Sequence, residues 1–164
     1  MGLDMYLNAR KYVSSNFGID PEGNTYEDTL SIAGLSKSDL PIDDYGSLTI
    51  SVKAMYWRKA NAIHNWFVNN VQDGEDNCRE YEVGREQLAE LRELCDRVLK
   101  DHSLASELLP TQSGFFFGGT EFDEWYFASL EETRDALDKL LDPSNPLNKG
   151  SGFGSWWFTY DSSW

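Results

Sequence analysis

Apolar and polar residues alternate near the start of the chain. The apolar positions are separated by Asp4, Tyr6 and Asn8. The apolar residues are Leu3, Met5 and Leu7, and Val13 closes the run. A period of two residues is typical of a strand that is buried on one face. The pattern therefore predicts an opening strand over residues 3–13.

A helical period replaces this alternation further along the chain. Apolar residues of the segment 54–71 recur at helical spacing on one stripe, namely Tyr56, Ala60, Ile63, Phe67 and Val71. This stripe predicts a first helix. A second helix is predicted over 85–100, since Gly84 and Gln87 form a start signal. Its apolar face comprises Leu88, Leu91, Cys95 and Val98. A third is predicted from the capping box Ser129-x-x-Glu132 to the stop at Asp142-Pro143.

Aromatic residues cluster in two places outside these helices. The runs 114–117 and 120–127 flank the pair Gly118-Gly119, and this arrangement favours two aromatic strands joined by a tight turn. The segment 155–160, with the sequence SWWFTY, has the composition of a strand close to the C-terminus. We therefore predict a central hairpin and a C-terminal strand.

The segment 14–52 differs from the rest of the chain because Gly, Pro, Asp and Ser occur throughout it. Only Leu48 to Val52 resembles a short strand, so the segment is predicted to be a long loop excursion. The chain of 164 residues fits one domain. The expected fold is a single α+β domain over 1–164. Its small, mainly antiparallel sheet comprises the N-terminal strand, the central hairpin and the C-terminal strand, packed by about three helices.

The charge balance restricts the kinds of partner. The 28 acidic residues outnumber the 14 basic ones and give a net charge of −14. Nucleic acids and anionic membranes are bound mainly through Lys and Arg, so neither is an expected partner. The acidity serves solubility, or it forms a surface that mimics nucleic acid and meets a basic partner.

Motifs for catalysis, metals or cofactors are not apparent in the sequence. Cys78 and Cys95 form no CxxC pair, and His64 and His102 belong to no HExxH motif. The glycines fit neither a phosphate-binding P-loop nor a dinucleotide-binding turn. We therefore expect no catalytic residues, no metal and no cofactor. The N-terminus lacks the apolar core of a signal peptide and no apolar run reaches membrane-spanning length, so the cytoplasm is the expected compartment.

The stretch from Tyr56 to Phe67 is the richest in mixed aromatic, basic and amide side chains. At about 100° per residue, Trp57, Asn61 and His64 share one flank of the apolar stripe. A flank of this kind can line a cleft, where a ring stacks on a planar ligand and cations hold its anionic group. The predicted ligand-binding residues are Trp57, Arg58, Lys59, Asn61 and His64, joined by Trp157 and Tyr160 from the C-terminal strand.

A purely structural interpretation accounts for the same residues. Trp57 and Trp66 would then cover the edges of the core, and His64 would bond a backbone carbonyl. Arg58 and Lys59 would keep a chain that is poor in cations soluble.

Four segments of the chain carry a resemblance to a known family. They are MGLDMYL from Met1, YWRKANAIHNWFV from Tyr56, LLPTQSGFFFGGTEFDEWYF from Leu108 and the terminal YDSSW. These segments resemble a family of small bacteriophage and prophage proteins of unassigned function. The resemblance implies a phage accessory protein in the cytoplasm of an infected bacterial host. It favours a role in counter-defence and supplies no catalytic residues.

Three functional hypotheses follow. The first is a non-enzymatic protein that sequesters a small anionic or nucleotide-like host signalling molecule. The second is an acidic inhibitor that presents 73–93 or 121–138 to a basic host defence protein. The third is a nucleotide hydrolase in which His64 acts as general base.

Overall fold

The computed structural model describes residues 2–14, 26–40, 46–148 and 154–164. Within these ranges the chain forms one antiparallel sheet of four strands in the order β2-β1-β4-β3. The strands are β1 (Asp4–Ser14), β2 (Ser47–Arg58), β3 (Tyr81–Val83) and β4 (Trp156–Ser163). The helices of the same ranges are α1 (Tyr26–Ile32), α2 (Asn61–Asn70), α3 (Arg85–Lys100), α4 (Ala105–Leu108) and α5 (Glu124–Leu141). The chain is a single α+β domain, which confirms the predicted class.

Strand β1 lies inside the sheet, between β2 and β4. The residues that alternation assigned to the buried face are fully buried, as Met5 and Leu7 show. Since opposite residues of antiparallel strands share a face, Tyr160 lies opposite Leu7 on the buried side. Trp157 lies opposite Arg10 on the other side of the sheet. The predicted N-terminal and C-terminal strands are therefore confirmed, and they pair with each other.

Strand β2 contains a β-bulge at Ala54. Leu7 pairs with Met55 whereas Asn8 pairs with Lys53, so Ala54 is an extra residue on β2. An extra residue shifts the alternation of side chains by one position. Beyond the bulge, Trp57 is turned into the core and is 4% exposed.

The first predicted helix is therefore wrong in its first part. Residues 54–58 belong to β2, and α2 begins only at Asn61. Of the predicted stripe, this stretch holds only Tyr56, which lies four residues before Ala60 as a helical stripe requires but is an exposed residue of β2. From Asn61 to Asn70 the predicted helix is present, and Ile63 and Phe67 of its stripe are fully buried.

Helices α3 and α5 pack against each other. The predicted bounds of α3 agree with the structure, and its buried residues Leu88, Leu91, Cys95 and Val98 are those of the predicted face. Helix α5 ends at Leu141 as the Asp142-Pro143 stop indicated, but it begins at Glu124 rather than after Ser129. The carboxylate of Asp123 caps it by accepting a hydrogen bond from the Tyr126 backbone N–H at 3.0 Å.

The predicted central hairpin is wrong. Residues 111–123 form a loop, and 124–127 are the first turn of α5. Of the aromatic side chains in that loop, Phe117 enters the core, whereas Phe115 is 94% exposed. The aromatic composition therefore reflects burial of a single ring and exposure of others, without strand pairing.

The predicted loop excursion at 14–52 also differs from the structure. The segment contains α1, and its last residues, from Ser47 onward, form the first half of β2. Val13, Tyr26 and Leu30 pack together as a small second apolar cluster. Residues 15–25 and 41–45 of the excursion lie outside the described residues. No helix within the described ranges has the length and apolarity needed to cross a membrane.

Candidate functional site

A cavity of about 610 Å³ lies where β2 passes into α2. One wall is formed by residues 56–62, at the end of β2 and the start of α2. The opposite wall is formed by residues of the 111–123 loop and by the first turns of α5, among them Trp125 and Glu132. The volume is within the range of about 300–1,000 Å³ that is typical of pockets for small molecules.

Arg58 and Lys59 place two adjacent cations on the first wall. Lys59 has a φ of 57°, in the left-handed region, where a residue other than glycine costs about 1–2 kcal/mol. The turn is held in place because the Lys59 N–H donates to the Leu3 carbonyl at 2.8 Å, and its carbonyl accepts from the Asn61 N–H at 2.9 Å. A strained backbone that is fixed by its surroundings is common at functional sites.

These two cations form no ion pair with the residues that the structure describes. Both side chains are exposed, and neither has a nitrogen within 4.0 Å of a carboxylate oxygen in the part of the chain that the structure describes. By contrast, Arg92 pairs with Asp138 and Lys100 pairs with Asp96. In a chain of net charge −14, this leaves Arg58 and Lys59 free to bind an anion.

Asn61 supports the opposite wall. Its amide nitrogen donates to the carbonyls of Phe117 and Gly119, at 3.1 and 2.7 Å, and its amide oxygen accepts from the Gln112 N–H at 3.3 Å. The loop runs so close to the turn that a Cβ on Gly118, whose φ is +90°, would lie 3.4 Å from the Lys59 Cβ. The amide of Asn61 is thus occupied by the loop, and the residue positions the cavity wall.

Trp57 lines the cavity only as part of the core. Its indole N–H donates to the Thr133 hydroxyl at 2.8 Å, and its ring meets the Phe67 ring edge-on. Because the indole is only 4% exposed, its faces are not available to stack on a ligand.

His64 and Tyr160 lie in the core, away from the cavity. Both are fully buried. The ring of His64 is hydrogen bonded to the Tyr160 hydroxyl at 2.7 Å and to an Asp76 carboxylate oxygen at 3.0 Å. Burial raises the pKa of the Tyr160 hydroxyl well above its ordinary value. The two ring nitrogens of His64 bond side chains, whereas the structural interpretation predicted a backbone carbonyl, and the buried imidazole does not line the cavity.

Trp157 does not reach the cavity either, since it lies beside Arg10 on the outer face of the sheet. Of the predicted ligand-binding residues, the structure brings together Trp57, Arg58, Lys59 and Asn61. It separates His64, Trp157 and Tyr160 from them.

Two aromatic residues at the cavity were not among the predicted residues. Trp125 lies in the first turn of α5 and is 83% exposed, and Tyr56 at the end of β2 is 46% exposed. The Tyr56 hydroxyl donates a hydrogen bond to the Asp4 carboxylate, and this bond raises the pKa of Tyr56. Asp123 as an N-cap was the signal in the sequence that could have placed Trp125 at a helix start.

Carboxylates also line the cavity. Glu121 and Asp123 belong to the loop, and Glu132 belongs to α5. Within the described residues, no group of three or more His, Cys, Asp or Glu side chains is arranged to hold a metal ion. The arrangement can therefore offer cations, carboxylates and exposed rings to a ligand.

No family model, curated protein or solved structure matches the chain.

Proposed function

We propose that the protein is a non-enzymatic binding protein that holds a small anionic, nucleotide-like molecule in the cavity. The observation that carries this proposal is the Arg58–Lys59 turn, where two cations that have no carboxylate partner among the described residues line a cavity of suitable size. Hydrogen bonds from cationic donors to a phosphate are about twice as strong as neutral ones.

Aromatic side chains support a ligand with a planar ring. The rings of Trp125 and Tyr56 are partly or largely exposed at the cavity, and stacking on an aromatic side chain contributes about 1–3 kcal/mol per base. A rigid wall lowers the cost of ordering the site on binding. The hydrogen bonds of Asn61 to the 112–119 loop provide that rigidity.

The mechanism would be stoichiometric. A protein that binds a signalling molecule without transforming it lowers the free concentration of that molecule, and this is effective when the protein is present in excess. The resemblance to phage and prophage proteins is the basis for placing this activity in an infected bacterial cytoplasm as counter-defence.

The test is calorimetric titration of the purified protein with adenosine 5′-monophosphate, ATP and a cyclic dinucleotide. Arg58→Ala combined with Lys59→Asn removes both cations, and Asn tolerates the left-handed backbone at position 59. Loss of two charge-assisted contacts should weaken binding by about tenfold or more.

The matched control is Arg97→Ala combined with Lys139→Ala, which changes net charge equally at exposed positions away from the cavity. Equal weakening in both double variants would show that only net charge matters. Binding of none of the three probes would contradict a nucleotide ligand.

A second candidate function is supported by the exposed rings beside the acidic loop end. Phe115 is 94% exposed, and Glu121, Asp123 and Glu124 follow it in the chain. This combination fits a basic protein that has an apolar pocket. Elsewhere in the predicted acidic segments, Arg92 pairs with Asp138 and Arg134 pairs with Asp135, so these two carboxylates are already neutralised within the protein.

To test that candidate, a host protein that this protein captures from bacterial lysate is purified, and its binding to this protein is measured. Its affinity should fall with rising salt and should fall about tenfold or more on Phe115→Ser. Ile32→Ser is the control, because Ile32 is also exposed, at 89%, on another part of the molecule. Binding that is insensitive to both salt and Phe115→Ser would exclude it.

A further inference from the structure

The two walls of the cavity carry charges of opposite sign. Arg58 and Lys59 lie on the wall formed by β2 and α2, whereas Glu121, Asp123 and Glu132 lie on the wall formed by the loop and α5. The carboxylates therefore outnumber the cations in the lining. A ligand in this cavity meets attraction for negative charge on one side only.

The opposite charges do not neutralise each other. None of the carboxylate oxygens lies within 4.0 Å of a nitrogen of Arg58 or Lys59. Within the described residues, the carboxylates of Glu121 and Glu132 form no hydrogen bond or ion pair, and Asp123 uses one oxygen to cap α5. Because the cations and the carboxylates of the cavity do not contact each other, both can bind groups of a ligand.

The charges on each wall define the chemistry of the two ends of a ligand. A phosphomonoester carries about −1.5 to −2 charges at neutral pH, which two cations can match. Each further phosphate adds negative charge without a further cation, close to carboxylates that repel it. Carboxylates are acceptors only, so the other end of the ligand must donate hydrogen bonds. The exposed ring of Trp125 belongs to the same wall as the carboxylates.

We infer that the cavity selects a nucleoside monophosphate whose base carries an amino group, and that it discriminates against polyphosphates. This inference rests on the proposed function. In the bound state the phosphate contacts Arg58 and Lys59, the base stacks on Trp125, and its amino group donates to Glu121 or Glu132.

The experiment compares three nucleotides by calorimetric titration of the full chain near neutral pH. Adenosine monophosphate is the reference. Inosine monophosphate replaces its amino group with a carbonyl oxygen, and ATP adds two phosphates. We expect both inosine monophosphate and ATP to bind at least about tenfold more weakly than adenosine monophosphate. The carbonyl oxygen of inosine monophosphate would face carboxylates, which are also acceptors, and the added phosphates of ATP carry negative charge that no further cation compensates.

Neutralising the acidic wall supplies the second measurement. Glu121→Gln combined with Glu132→Gln keeps the size of both side chains and removes their charge. ATP should then bind more tightly than it binds the wild type, and the preference for the adenine over the inosine nucleotide should shrink. Glu90→Gln combined with Glu107→Gln is the control, since both are exposed acids outside the cavity.

The outcomes separate the two proposals. Binding of ATP as tightly as the monophosphate, or equal binding of the adenine and inosine nucleotides, overturns the inference and leaves the proposed function intact. An equal gain in ATP affinity in the control variant also overturns it, because the repulsion would then come from overall charge. If no nucleotide binds the wild type, a nucleotide ligand and this inference both fail.

Discussion

The Nδ1 atom of His64 lies 2.7 Å from the hydroxyl oxygen of Tyr160, and this contact joins α2 to β4. The other ring nitrogen of His64 bonds Asp76, and Asp76 also accepts a hydrogen bond from the indole N–H of Trp164 at 3.0 Å. Tyr160 stacks on Phe67 with their ring centroids 3.8 Å apart. A polar network of this kind stabilises a fold when every member has a partner.

Tyr160→Phe should therefore lower the free energy of unfolding by about 1–3 kcal/mol, because it leaves a buried nitrogen of His64 without its partner. The measurement is urea denaturation followed by circular dichroism. Tyr56→Phe is the matched control, since the Tyr56 hydroxyl bonds Asp4 at an exposed position, where a smaller loss is expected. If both variants lose the same free energy of unfolding, burial of the His64 network does not add to the stability of the protein.

Asn61→Ala should loosen the cavity wall. The substitution removes the hydrogen bonds to Phe117, Gly119 and Gln112, which hold the loop over α2. Hydrogen exchange of the backbone amides between 112 and 120 should become faster, and any nucleotide affinity should fall with it. Asn69→Ala serves as control, because the Asn69 side chain bonds only Asn65 among the described residues, within its own helix. Unchanged exchange in Asn61→Ala would contradict the assigned role.

Gly114→Ala should destabilise the protein because the loop turns tightly around Phe117. A Cβ at position 114 would lie 2.5 Å from the Phe117 ring, and relief of such a contact in a packed region costs about 1–3 kcal/mol. Gly119→Ala in the same loop meets no atom within 4 Å, so its thermal midpoint should stay close to that of the wild type. Equal thermal midpoints of the Gly114→Ala and Gly119→Ala variants would contradict the close contact between position 114 and the Phe117 ring.

The two cysteines should differ in reactivity. Cys95 is buried between the helices and desolvation raises the pKa of its thiol to about 12, whereas Cys78 is exposed. Since the thiolate is the reactive species, Ellman's reagent should modify Cys78 in the native protein and Cys95 only after unfolding. Rapid modification of the native Cys78→Ser variant would contradict the burial of Cys95.

Two carboxylates should respond to pH in opposite directions. Burial raises the pKa of Asp161 above its ordinary value, so its charged form opposes folding at neutral pH, and the penalty disappears as the pH falls. Asp161→Asn should stabilise the protein at neutral pH and lose this advantage in acid. Hydrogen bonds from the side chain and backbone of Ser144 lower the pKa of Asp142, so its charged form favours folding.

Asp142→Asn should accordingly destabilise the protein at neutral pH, and the difference should vanish as the pH falls through the lowered pKa of Asp142 and the carboxyl becomes protonated in the folded protein. Thermal midpoints measured from acid to neutral pH check both variants. If the thermal midpoint at neutral pH changes in the same direction in Asp161→Asn and Asp142→Asn, one of the two pKa shifts has the wrong direction.

Elements whose residues have a single strong period were predictable from the sequence. The alternation of β1 and the apolar stripe of α3 each agree with the structure, because one face of each element packs on the core along its whole length. Tyr56 fits the helical stripe of α2 because it lies four positions before Ala60, although it is an exposed residue of β2, so spacing alone extends the predicted helix too far. The ring-rich segment 114–127 was assigned to strands because aromatic composition does not state which partner buries each ring.

The sequence by itself determined the α+β class, the N-terminal and C-terminal strands, α3 and the cationic pair Arg58–Lys59 as part of a candidate site. Only the tertiary structure decided which residues accompany that pair. His64 lies in the core, hydrogen bonded to Tyr160, which is 96 positions away in the chain. Trp125 and Glu132 of α5 line the cavity instead. Local periodicity fixes which face of an element is apolar, but contacts between distant segments depend on how those faces pack together, and that information is absent from any short stretch of sequence.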